Sequence, residues 1–283
     1  MRRIGSRVIG AVLPLLFLCA TGCTTVPYTN RSQLMLMSES KDLQLGAAAY
    51  QEVLKKEKVS HDPLLTEVVQ RVGRRIAAAA DKPDYQWEFT VIDDPKTVNA
   101  FALPGGKVAV YTGLFPIARD EAGLAAVIGH EVAHALARHG AERVSQGTLM
   151  QIGAVGVAVA TSGTSPGMQQ AIMQAYGLGS TVGVALPFNR SQESEADHIG
   201  IILMAKAGYD PEASIGLWQR MATAERGASP PEWLSTHPSP KTRITDLQGW
   251  MAEAKGYYKP SGQAVAMLPP IPGAPSQQDA SVR

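Results

Sequence analysis

The residues Leu124 to Leu136 read L-A-A-V-I-G-H-E-V-A-H-A-L, a helix-favouring run that is apolar all the way round. A helix with no polar face must be covered on every side, so the rest of the chain has to pack around this one. Two imidazoles and a carboxylate lie inside it, His130, His134 and Glu131. Burying them is costly unless something satisfies them, and a bound cation does so. Four residues on a 3.6-residue helix turn through about 400°, which puts His130 and His134 on one line about one turn apart. Glu131 lies about 100° around from His130, where it reaches a water held by a metal without ligating the metal itself. The H-E-x-x-H spacing separates ligands from base. The expected metal is zinc, one Zn2+ per chain; the plain alternative is two core histidines that only hydrogen-bond.

A catalytic zinc takes three protein ligands and keeps a position for water, so one more Asp, Glu or His is needed. His139 falls about 180° from His130 if the helix continues, facing away. His61, in Ser60-His61-Asp62-Pro63, reads as cap or surface. His198, His237 and the cluster Glu193-Ser194-Glu195-Ala196-Asp197 remain. In a helix over 191–207, Glu193, Ala196, Asp197, Gly200, Leu203, Met204 and Ala207 share one otherwise apolar face. Glu193 is therefore assigned as the ligand, with Asp197, one turn on, accepting a hydrogen bond from a ligand histidine. Glu195, about 200° from Glu193, is expected in solvent. Acidic clusters are usually solvated helix faces, but that arrangement would leave the small apolar partners outside.

H-E-x-x-H followed some sixty residues later by E-x-x-x-D resembles the zinc peptidase family, of gluzincin type, that contains the bacterial HtpX proteases and the eukaryotic CAAX prenyl proteases. Asn99-Ala100-Phe101-Ala102-Leu103-Pro104-Gly105-Gly106 and Ser235-Thr236-His237-Pro238 resemble it too, particularly its periplasmic lipoprotein branch. The similarity spans roughly residues 40 to 255. It implies zinc on His130, His134 and Glu193, with Glu131 catalytic and Asp197 beside the site. In that branch the histidine matching His237 lies near the zinc, so His237 is expected to occupy or guard the water position, or to steady an oxyanion; a plain helix cap is the alternative. Arg190 and Arg243 are weaker candidates for oxyanion or carboxylate contacts.

The formal net charge of +1 and 45% hydrophobic content describe a globular chain with a substantial core, and the dispersed basic residues give no sign of a nucleic-acid partner. Met1-Arg2-Arg3, an apolar run from Val8 to Ala20 and small residues before Cys23 form a three-part secretory signal over 1–22, too short for a comfortable membrane span. Ala20-Thr21-Gly22-Cys23 resembles a lipoprotein cleavage box, implying acylation of Cys23 and a periplasmic address on the outer membrane; ordinary secretion is the alternative. The only cysteines are Cys19 and Cys23, so the body after the signal holds no disulfide.

A polar leader over 23–40 precedes the expected peptidase domain, 41–256. Residues 41–58 and 63–80 read as helices, the second opened by Asp62 and Pro63. Trp87 to Ile92 alternates as a strand, and Val98 to Leu103 and Lys107 to Tyr111 flank Pro104-Gly105-Gly106 as a hairpin does. The fold expected is α+β, mainly α-helical and zincin-like, with a small antiparallel sheet beside the H-E-x-x-H helix. The strand through Asn99, Ala100, Phe101 and Ala102 is the candidate edge for an extended substrate, with a plain core hairpin as the alternative. Gly147 to Phe188 reads as helix, flexible loop and lid. Further helices are expected from Asp210 to about Glu225 and from Pro238 or Ser239 to near Lys255, with a Pro-rich disordered tail over 257–283.

The expected reaction is zinc-assisted peptide hydrolysis with Glu131 as general base. Protein or peptide substrates, such as misfolded or stalled envelope proteins, and a membrane reached through the lipid anchor are the implied partners. A zinc-stabilised chaperone or assembly factor is the rival from another class, and a lipid-anchored structural protein without metal a weaker one.

Overall fold

Asp120 starts the helix around which the chain is built: its Oδ1 accepts the Gly123 amide at 2.8 Å, and Glu121 to Leu136 follow as one helix with all sixteen residues buried. The computed structural model describes residues 23–148, 190–225, 237, 242–260, 262 and 265–272. Residues 1–22 of the expected signal, 149–189 of the expected lid and most of 226–241 lie outside them. The elements used below are β1 (Cys23–Thr25), β2 (Ser32–Leu34), α1 (Glu39–Lys56), α2 (Pro63–Ala80), β3 (Glu88–Ile92), β4 (Ala100–Leu103), β5 (Lys107–Tyr111), α3 (Phe115–Ala118), α4 (Glu121–Leu136), α5 (Arg190–Lys206), α6 (Ala213–Glu225) and α7 (Arg243–Tyr257).

The chain divides into two units. The smaller comprises Met1–Glu39 and Gly140–Ala185. In it β1 and β2 form an antiparallel ribbon pairing Cys23 with Leu34, turned by Tyr28 and Asn30 at positive φ. Arg31 donates to both carboxylate oxygens of Glu142, at 2.7 and 2.9 Å, and the Ser145 hydroxyl accepts the Leu36 amide at 2.9 Å. The leader is thus partly structured.

The larger unit, Ser40–His139 and Leu186–Arg283, carries α4 at its centre. Helices α2, α5 and α6 and strand β4 pack against α4, and α7 packs on α5. Helix α2 has the bounds its periodicity predicts: Asp62 Oδ1 accepts the Leu64 amide, Pro63 occupies the first turn, and Leu65, Val68, Val69, Val72 and Ile76 form the buried face.

The three-stranded sheet has the order β3-β5-β4. The expected hairpin is present, with Leu103 opposite Lys107 across Gly105 and Gly106, whose φ values of 86° and 83° only glycine adopts readily. The sheet is mixed and not purely antiparallel as expected, because β3 pairs with the far side of β5 and runs parallel to it. Alternation in sequence marks a strand but carries nothing about its neighbour's direction. Residues 58–60 cover the outer edge of β3 through a Val59–Ile92 bridge. Strand β4 ends the sheet on the other side, with no further strand paired to it among the described residues.

The expectation of a disordered tail fails over part of its length. Met267 bridges Asp120, the Glu121 amide donates to the Ala266 carbonyl at 3.0 Å, the Leu268 amide donates to Arg119 O at 3.0 Å, and Leu268 is buried. An amide in the first turn of α4 has no carbonyl within its own helix, and the tail backbone supplies one. No helix among the described residues is long and apolar enough to cross a membrane.

Candidate metal centre

Helix α4 places His130 and His134 one turn apart, with ring centroids 4.7 Å from each other. Helix α5 then crosses α4 where neither has a side chain: a Cβ on Gly129 would meet the Gly200 carbonyl oxygen at 2.9 Å, and one on Gly200 the His130 amide nitrogen at 3.0 Å. That approach brings Glu193 and Asp197, both on the α5 face toward α4, up to the two rings.

His130 Nε2 and His134 Nε2 stand 3.1 Å apart, and the Glu193 carboxylate reaches both, its Oε1 3.3 Å from His134 Nε2 and its Oε2 3.6 Å from His130 Nε2. Ligand atoms about 2.1 Å from a tetrahedral zinc stand about 3.4 Å apart, so these separations are of the size that such a site needs. Glu193 Oε1 is buried and has no hydrogen bond, as an oxygen kept for a cation would be. His237 joins the group: one ligand atom from each of His130, His134, Glu193 and His237 lies within 4.8 Å of the others. These residues fit a metal.

Burial sets the form that each of these groups takes without metal. Burial, and then the nearby Arg243 charge, lower His130 to about 4, and burial with the neighbouring rings holds His134 well below the usual histidine range. Both imidazoles are therefore neutral, with a lone pair to give. Burial pushes Glu193 up to about 8 even though Arg243 donates to its Oε2 at 3.1 Å. Burial would also raise Asp197, but Arg243 and His130 together hold it below the ordinary carboxylate range.

Asp197 Oδ1 lies 3.0 Å from His130 Nδ1, which sets the ring with Nε2 toward the ligand cluster. Arg243 ties the group together. It donates to Asp197 Oδ1 at 2.7 Å, pairs with Asp197 Oδ2 through Nε, and lies 3.3 Å over the centre of the Trp218 ring. Glu131 is buried, its Oε2 3.7 Å from His237 Nε2.

Other expectations need correction. Glu195 is buried, not solvated, and pairs at 2.9 Å with Nε2 of His139, which does not face away. The helix stops at Leu136, and Arg138 takes a left-handed conformation, φ 54°, that turns His139 back so that its Nδ1 is 2.8 Å from His134 Nδ1. Arg190 is exposed at the start of α5. His61 is exposed, and His198 stacks on Trp250 and pairs with Glu253 at 2.7 Å, so neither joins the centre. Asn99 precedes β4 and accepts the Tyr111 amide at 3.0 Å; Ala100 is buried, while Phe101 and Ala102 are half-buried. Trp218 had no signal in the sequence beyond its size.

Residues 63–251 match Peptidase family M48. The chain is 39% identical over 235 residues to the mitochondrial metalloendopeptidase OMA1 of Schizosaccharomyces pombe, covering 81% of this chain and 67% of that protein. It is 30% identical over 253 residues to the Saccharomyces cerevisiae OMA1, covering 83% of this chain and 71% of the relative. It is also 30% identical over 250 residues to the beta-barrel assembly-enhancing protease of Escherichia coli, covering 87% of this chain and half of that longer protein. Relatives of both kinds match, so the resemblance does not single out a branch. The expected periplasmic, outer-membrane address is overturned by relatives named as mitochondrial, in fission yeast, budding yeast and Arabidopsis thaliana. By the family match and these identities, the chain belongs to Peptidase family M48 and is a metalloendopeptidase.

Proposed function

We propose that the chain is a zinc-dependent endopeptidase that hydrolyses peptide bonds in misfolded or stalled envelope proteins, with His130, His134 and Glu193 as ligands and Glu131 as general base. The observation that carries this reading is the buried convergence of two Nε2 atoms and one carboxylate at separations of the size that a tetrahedral zinc site needs. Zinc bound there would polarise a carbonyl and acidify water. Glu131, next to His130 on α4 and off the ligand line, takes the proton from the attacking water and delivers it to the leaving amine. Asp197 holds the His130 tautomer, and Arg243 orients Glu193. His237, opposite Glu131, guards the water position at rest or steadies the developing oxyanion during turnover. The side of β4 with which no described strand pairs receives an extended substrate from Asn99 to Ala102. Cys23 is the proposed lipidation site, to be checked by the mass of the amino-terminal peptide.

The test is cleavage of a denatured β-barrel protein with and without chelator, and with Glu131→Gln. Cleavage is expected to require metal and to be lost in the variant while metal content and fold persist. A second reading, a zinc-stabilised assembly factor whose proteolysis is secondary, draws on the assembly-enhancing name of the E. coli relative. A cellular phenotype rescued by Glu131→Gln favours that reading.

A further inference from the structure

We infer that His139 and Glu195 form a hydrogen-bonded relay that fixes the tautomer and orientation of His134, as Asp197 does for His130; the inference rests on the metal-centre reading. His134 Nε2 is the ring nitrogen that faces the ligand cluster, 3.1 Å from His130 Nε2 and 3.3 Å from Glu193 Oε1. To offer a lone pair there, His134 must carry its proton on Nδ1. The group facing that proton is His139 Nδ1 at 2.8 Å, which accepts only when His139 carries its own proton on Nε2. Nε2 of His139 in turn faces Glu195 Oε2 at 2.9 Å, and a carboxylate is an acceptor. One proton assignment satisfies all three contacts: His134 donates to His139, and His139 donates to Glu195.

The backbone is bent to make this possible. On a continued helix His139 would sit about half a turn from His130; the left-handed Arg138 returns it to the His134 side. Arg138 donates from Nε to the buried Asp42 carboxylate of α1 at 2.8 Å, so a second ion pair holds the turn. His139 and Glu195 are both buried, so water does not readily replace either partner.

The residues are positioning residues, and the test reads the metal and the ring, not turnover alone. In the full chain, zinc affinity is measured by chelator competition, the cobalt(II) spectrum is recorded, and imidazole nitrogens are followed by 15N NMR for the parent, Glu195→Gln and His139→Phe. His139→Phe is expected to weaken zinc binding about 10- to 100-fold, the effect usual for losing such a partner, and to shift the cobalt bands and the His134 Nδ1 signal. Glu195→Gln, which keeps shape and an acceptor oxygen, is expected to move the same signals in the same direction by less. If His139→Phe does not fold, Glu195→Gln decides: parental affinity and spectra in that variant overturn the relay. Both folded variants binding zinc like the parent also overturn it while leaving the metal centre intact. A parent chain that takes up no zinc overturns the metal centre and the relay with it.

Discussion

Gly200 lies directly against His130: a Cβ at position 200 would stand 3.0 Å from the His130 amide nitrogen and 3.1 Å from its Cα. The contact is backbone to backbone, so nothing soft can yield. It sets the spacing of α4 and α5, and that spacing sets the distance from Glu193 to the histidines.

Gly200→Ala is therefore expected to separate the helices by a few tenths of an ångström. Overpacking of this kind costs about 1–3 kcal/mol. Ligand geometry suffers as well, so zinc affinity is expected to fall along with the urea midpoint. Alanine ordinarily stabilises a helix relative to glycine, by about 1 kcal/mol. A variant as stable as the parent, with unchanged zinc affinity, would show that the crossing does not set the site.

Arg243 is buried between Glu193, Asp197 and the Trp218 ring. Arg243→Gln keeps some hydrogen-bonding capacity but removes the charge and the planar fork, leaving the buried Asp197 carboxylate without its cation. Breaking a buried ion pair costs about 3–5 kcal/mol, and the metal-free protein is expected to lose stability on that scale. Zinc should restore part of it, since the cation replaces the missing charge beside Glu193. Thermal melts with and without zinc check both expectations; equal melting of parent and variant without metal counts against this role.

Glu193, pushed up to about 8 by burial, holds a proton at neutral pH in the metal-free protein, and a cation must displace it. Zinc affinity is expected to rise with pH toward about 8, approaching tenfold per unit, and then to level off. The histidines do not oppose this, because His130 near 4 and the still lowered His134 are already neutral across that window. Without metal, the raised Glu193 value contributes stability that is complete below 4.5 and lost as pH rises through about 8, whereas the lowered His130 value contributes stability present above 6.5 and lost as pH falls through about 4. Calorimetric titration with zinc in two buffers of different ionisation enthalpy should reveal about one proton released at neutral pH. No release would place the Glu193 proton elsewhere.

What could be read in advance follows from how local each signal is. The bounds of α2 and the inward face of α5 follow from apolar spacing within one helix, so Glu193 and Asp197 could be placed before any contact was known. The direction of β3 could not, since pairing depends on residues far away in the chain. The positions of His139 and Glu195 escape the sequence for a related reason. Extrapolating helical angles past Leu136 fails at Arg138, a left-handed residue held by a long-range ion pair to Asp42 and unmarked by glycine or asparagine. The Pro-rich composition after Lys259 hid Leu268, whose burial depends on backbone pairing with the start of α4.

The edge of β4 with which no described strand pairs is the remaining test of how substrate is held. Hydrogen-bonded and non-bonded pairs alternate along an antiparallel ladder. The Tyr111 amide donates to Asn99 O, which makes that pair bonded, so the pairs Ala100–Val110 and Ala102–Val108 are non-bonded and their main-chain groups point to the open side. The Ala100 amide already has the Asn99 side chain at 2.9 Å, whereas Ala102 is well placed to pair with an incoming strand. Ala102→Pro removes one outward donor without deleting a ladder bond, and proline is tolerated on edge strands. The loss of one backbone hydrogen bond to substrate, about 0.5–1.5 kcal/mol, corresponds to a reduction of roughly 2- to 13-fold in kcat/KM. Zinc affinity and the melting temperature should stay near the parent's, because β4 keeps its pairing with β5. If Ala102→Pro cleaves unfolded substrates as fast as the parent, the substrate does not lie along this strand, and that edge of β4 has no part in binding.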